Sequence, residues 1–212
     1  MKTDDLIEAL SLDLEPMAPV RPRLAAGAAA GGLVALGLVG LWLGFRPDLG
    51  HAPMTRMFWT KAIYTGLLGV AGFLAVDRLA RPAGSPRRGL VLAGGVFAFL
   101  ALAGAWQMMH AAPADRMPML MGASWRVCPS NIFMLAVPIL AIVLFVVRGL
   151  APTRLSLAGA ASGLFAGGLA ATVYGLHCPE HTMAFVAIWY SLGVAFTAVL
   201  GAVLGPWALR WR

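Results

Sequence analysis

Apolar residues dominate this chain in six long runs, and polar residues collect in the gaps between them. The runs cover approximately Leu24 to Phe45, Met57 to Asp77, Gly89 to Met109, Ser130 to Val147, Leu155 to Leu176 and Met183 to Leu209. Each is close to the roughly 20 helical residues needed to cross a ~30 Å hydrocarbon core. None alternates polar with apolar, which disfavours β-strands. Breakers fill the gaps: RPDLGHAP, RPAGSPRR, a Pro- and Met-rich stretch at 110–129, RGLAPTR and HCPEH. The pattern predicts an all-α integral membrane protein. Its core is a six-transmembrane-helix bundle over 24–209, with tails at 1–23 and 210–212.

Composition agrees, at 60% hydrophobic and 12% charged. The net charge of +7 would suggest nucleic acid if the basic residues clustered on a soluble face. They lie between the apolar runs instead, where headgroup contact and topology explain them better. One side carries 11 of them, from Lys2, Arg21 and Arg23 to Arg210 and Arg212; the other carries five, Arg46, Arg56, Lys61, Arg116 and Arg126. The positive-inside rule then puts both termini in the cytoplasm. Trp42, Trp59, Trp106 and Trp125 mark the outer interface, and Trp207 and Trp211 the inner one. Lys61, a turn inside the second run, is expected to snorkel outward. Asp77 is expected to face headgroups. Neither suggests an intramembrane ion pathway. Gly159, Gly163 and Gly167, with Gly201 and Gly205, are spaced for close helix approach. Packing within one bundle explains them more simply than a homodimer, which stays possible.

With this orientation both cysteines, Cys128 and Cys178, fall on the outer side, and so do all four histidines, His51, His110, His177 and His181. A single Cys-Pro is ordinarily a buried small residue at a helix start. Two of them at one membrane depth suggest shared chemistry, which an oxidising compartment permits. Three chemistries are open. A reversible disulfide requires that the fourth span neighbour the fifth or sixth. Metal capture would use Cys128, Cys178, His177 and His181, but no C-x-x-C or H-x-x-x-H spacing supports it. Direct modification of a thiolate is the third: protonated His177 and His181 would favour it and Glu180 would oppose it, while Glu180 has the alternative roles of capping a turn or contacting Arg126. A thiol switch is preferred to a metal site.

The segment MKTDDLIEALSLDLEP (1–16) reads as a short amphipathic helix. Thr3 or Asp4 caps it, and Leu6, Ile7, Leu10 and Leu14 share a face. Five acidic groups in the first 23 residues are the wrong order for a cleavable signal peptide. They also repel anionic lipid, so the apolar stripe suits a groove on a protein partner. PMAPVRPR is expected to be a stiff linker.

MKTDDLIEAL, the six spans, the Cys-Pro before the fourth span, and HCPE followed by IWYSLG (188–193) together resemble the NrsF family. These are bacterial membrane anti-sigma factors, the negative regulators of sigma F. The resemblance implies a bacterial inner-membrane protein that holds an extracytoplasmic-function sigma factor inactive at the cytoplasmic face. It carries a signalling role to Cys128 and Cys178, on the periplasmic side. It carries partner contact to the tail, including Asp5, Leu6, Ile7, Leu10 and Leu14. No cofactor and no direct nucleic-acid contact are implied. The rivals are a membrane thiol oxidoreductase working with quinone, which lacks a C-x-x-C, and a small transporter. The transporter would have only Gln107, Thr172 and Tyr174 near mid-membrane.

Overall fold

A computed structural model describes Thr3 and residues 19–81, 84–150 and 152–210. The proposed tail contacts Asp5, Leu6, Ile7, Leu10 and Leu14 lie outside these. The described residues form helices and no strand. We name the helices α1 (Val20–Leu43), α2 (Arg56–Leu79), α3 (Arg87–His110), α4 (Pro113–Met121), α5 (Cys128–Arg148), α6 (Leu155–Tyr174) and α7 (Met183–Ala208). All but α4 are long and apolar enough to cross a membrane. Leu41, Phe145 and Trp207 are 92%, 80% and 83% exposed, a surface suited to hydrocarbon rather than water.

Small residues decide the packing. Helix α6 runs through the middle, against α7, α2 and α5. Gly159 faces the backbone of Gly201 and Gly205, and Gly163 that of Thr197 and Ala198. On its other side Gly168 meets Gly69, and Gly72 of α2 meets Phe165. At these positions a Cβ would strike neighbouring backbone, so glycine is what lets three helices touch. The glycine pattern thus serves contacts inside one bundle. Helix α3 lies on the outside, held by Gly89 against Ala71 and Ala75 and by Gly104 against Ala184.

Three expectations are corrected. Val20 to Arg23, expected as linker, form the first turn of α1, where Pro22 is tolerated because first-turn amides lack helical partners. Asp77 does not face headgroups. It is 3% exposed and ion-paired to Arg21 at 3.4 Å and Arg81 at 3.6 Å. Lys61 does not snorkel. It is 2% exposed, because carbonyls within reach at the end of the bundle replace the water it would otherwise seek.

Two helices contain wide π turns, Val39–Leu43 ending α1 and Val186–Tyr190 near the start of α7. Both lie at the same end of the bundle as the cysteines. The first stops at Gly44, whose φ of 78° breaks the helix.

Candidate functional site

Cys128 is the first residue of α5, and Cys178 lies in the loop joining α6 to α7. Helix α5 packs on both α6 and α7, so the neighbour condition for pairing is met. The two thiols are neighbours and are not bridged, and Ser124 Oγ lies 3.9 Å from the Cys178 sulfur. They are 0% and 1% exposed. Tyrosines flank them. The Tyr174 hydroxyl reaches Cys128 and Asn131. The buried Tyr190 hydroxyl has no hydrogen-bond partner and lies on the side of Cys178. The Tyr174 and Tyr190 rings pack at 5.6 Å, and the π turn of α7 sets the register at which Tyr190 arrives.

The loop at 175–182 is tied from three directions. Helix α2 supplies Lys61, whose Nζ donates to the carbonyls of Cys178 and Glu180, both at 2.8 Å. The segment after α1 supplies Arg46, whose backbone N–H donates to Leu176 O at 3.1 Å. Its guanidinium lies 3.5 Å from Cys178 O while pairing with Asp48 at 2.6 and 2.7 Å. Beside it, His177 Nδ1 lies 2.8 Å from Gly44 O.

Glu180 supplies the third tie. Its Oε1 accepts from Ala123 N at 2.8 Å, Ser124 N at 3.0 Å and Ser124 Oγ at 3.0 Å. Ser124 O in turn accepts from Cys128 N at 2.9 Å. One carboxylate therefore joins the Cys178 loop to the turn that launches Cys128. Of the two roles considered for Glu180, it caps the turn; Arg126 instead stacks on Trp125 at 5.2 Å. Gly122 is required here, since its φ is 56° and a Cβ would press on the Glu180 carboxylate and Phe185. Helix α4 closes over the top: Thr182 Oγ1 donates to Met119 O at 2.6 Å and Trp189 Nε1 to Leu120 O at 2.9 Å.

The Cys178 thiol is pulled below its ordinary range. The largest cause is the hydrogen bond from Cys128, which burial opposes; the Tyr190 hydroxyl, the Lys61 charge and the Glu180 backbone N–H add to it. Metal chemistry finds no matching cage. Among the described residues no three His, Cys, Asp or Glu side chains gather as a ligand set. His177 is turned onto Gly44 and His181 is exposed. The marginal mid-membrane groups are also occupied: Gln107 Oε1 accepts from Met183 N at 3.0 Å, and Thr172 Oγ1 donates to Gly168 O at 2.8 Å.

Sequence reasoning gave no role at this site to Lys61, Ser124, Arg46 and Tyr190, and named Tyr174 only as a mid-membrane candidate. A lone cation inside an apolar span was a usable signal, because such residues are functional candidates by default. The others gave none, since the contacts that bring them to the site lie far along the chain: Ser124 to Glu180, and Arg46 to the backbone of Leu176 and Cys178.

The pairing of Cys-Pro sites inside a six-helix bundle is matched by likeness over the whole chain. Residues 10–211 match the family described as NrsF, negative regulator of sigma F. This chain belongs to the NrsF family. It is 53% identical to the anti-sigma-F factor NrsF of Caulobacter vibrioides (strain NA1000 / CB15N), with all of both chains covered. It is 42% identical to the probable anti-sigma-F factor NrsF of Azospira oryzae (strain ATCC BAA-33 / DSM 13638 / PS), again with all of both chains covered. No solved structure matches this family member.

Proposed function

We propose that this protein is an inner-membrane anti-sigma factor. It holds an extracytoplasmic-function sigma factor through its cytoplasmic N-terminal segment and releases it when a thiol-reactive stress acts on Cys128 and Cys178 from the periplasmic side. The observation that carries the regulatory role is full-length likeness to two proteins named as anti-sigma-F factors. The sensing role rests on the two thiols meeting in one buried, heavily tied site. A regulator of this kind needs no enzymatic turnover, and the site has no C-x-x-C dithiol.

Modification or bridging of the pair cannot leave the cover as it is. Both sulfurs are buried, and Glu180 binds one cysteine's loop to the other's turn. Bridging forms one S–S bond and passes two electrons and two protons from the thiols to a two-electron oxidant, which is the thiol-reactive stress itself. Helix α2 offers a route to the far end: Lys61 holds the Cys178 loop, and Asp77 holds Arg21 at the root of the tail. Coupling of about 1–3 kcal/mol, or 5- to 150-fold in affinity, is enough for a switch.

Co-purification of the sigma factor from stressed and unstressed cells tests both halves. Leu6→Asp or Leu10→Asp abolishes capture while membrane insertion survives. Cys128→Ser and Cys178→Ser keep capture but fail to release on stress. Undiminished capture by the leucine variants sinks the tail assignment, and normal release by both cysteine variants sinks the thiol assignment.

A further inference from the structure

The cysteine end holds a charge that its own hydrogen bonds do not balance. Lys61 is 2% exposed, and its two acceptors are neutral carbonyls. Among the described residues it has no carboxylate within ion-pairing distance. The nearby acids are committed elsewhere: Glu180 to the Ala123–Ser124 turn, and Asp48 to Arg46. A buried ammonium with only neutral partners carries a desolvation cost that a nearby anion relieves. The groups around Cys178 are Cys128 from α5, Tyr174 from α6, Tyr190 from α7, Lys61 from α2, and Arg46, His177 and Glu180 from the flanking loops. Of these, Cys178 is the group beside Lys61 that can become an anion without breaking a tie.

Cys128 differs. It starts a helix, a position that ordinarily favours a thiolate. Here most of the amides that would do so are spent or missing, leaving that of Ser130. Cys128 N donates to Ser124 O and Asn131 N to Val127 O, both at 2.9 Å, and Pro129 has no N–H. Its sulfur is placed to donate to Cys178 rather than to receive charge.

We propose that the buried Lys61 ammonium is a positioning residue that makes Cys178 the attacking thiol of the pair and leaves Cys128 to resolve. The inference rests on the thiol-switch reading of this site. Against a low-molecular-weight disulfide, the Cys178 thiol first gives its proton to solvent. The thiolate then forms a mixed disulfide and expels one small thiolate. Cys128 loses its proton, attacks the Cys178 sulfur and expels the second. The protein thereby loses two electrons and two protons, and the small disulfide is reduced to two thiols.

The test is peptide-resolved alkylation by iodoacetamide of the full chain, reduced and purified in detergent, from pH 5 to 10. Each alkylation joins a thiolate sulfur to the reagent carbon and expels iodide. Cys178 reacts with a midpoint below that of the same cysteine in the urea-unfolded chain, and at pH 7 it outpaces Cys128 at least about tenfold. Lys61→Met raises the Cys178 midpoint by about one pH unit, a tenfold loss of thiolate at neutral pH. Lys61→Arg restores it. A role confined to holding the loop would change rates but leave the midpoint in place, and that result overturns the proposal. So does faster labelling of Cys128. If Lys61→Met does not fold, Lys61→Gln, which keeps a donor for the two carbonyls and removes the charge, takes its place: an unchanged Cys178 midpoint in that variant contradicts the proposal. The measurement needs no sigma factor, so it can fail while the release test succeeds, and the reverse.

Discussion

Glu180 carries much of what closes the site. Its carboxylate accepts three hydrogen bonds from Ala123 and Ser124 while its residue is 9% exposed. Charge-assisted bonds of this kind are each worth about 1.5–3 kcal/mol, and the charge is what makes them strong. Glu180→Gln keeps the shape and removes the charge. We expect it to make opening of the cover easier by about 1–2 kcal/mol, a 5- to 30-fold change in the open population. Alkylation of both Cys128 and Cys178 should accelerate by that factor. Unaltered labelling rates would show that the carboxylate does not hold the cover. At this scale the sequence was informative about identity and silent about contact. Two Cys-Pro sites stood out, and their depth suggested that they meet. Lys61 was misjudged because its acceptors are backbone carbonyls 117 and 119 positions away, and no side-chain pattern announces a carbonyl. Asp77 was misjudged for a similar reason, since Arg21 lies 56 positions distant.

At the scale of elements, the glycine seam between α6 and α7 holds together the two helices that the Cys178 loop joins. Gly163 faces Thr197 O and the Ala198 backbone closely enough that a side chain must push the helices apart. Backbone cannot yield as a flexible side chain does, so overpacking costs about 1–3 kcal/mol. Gly163→Val should lower the thermal midpoint in detergent. The exposed Gly94→Val, where nothing lies near the added Cβ, should not. Equal midpoints would show that the seam is slack. The spans were legible within a few residues, because length and apolarity alone decide whether a helix can cross a bilayer. The seam was legible as a four-residue repeat of glycine. The π turns were not, since the widened register at Val186–Tyr190 depends on where Tyr190 and Phe185 find room. Helix α4 was not either. Its Pro and Met residues read as a breaker, and its anchors are carbonyls used by Thr182 and Trp189.

At the scale of the whole molecule, α2 touches both ends of the bundle with its two charged residues. Lys61 grips the Cys178 loop, and Asp77 grips Arg21 where α1 begins. In the proposed switch, α2 is the element that would carry a change in the cover to the root of the segment proposed to hold the sigma factor. The central claim is that the state of the Cys128–Cys178 pair sets the grip on that partner. The most direct measurement oxidises the purified complex in detergent and follows, in one sample, the fraction of protein with a Cys128–Cys178 bridge and the fraction of sigma factor still bound. The account predicts that the two move together, each bridged molecule having released its partner, and that reductant restores binding. Full bridging with the sigma factor still bound would contradict it.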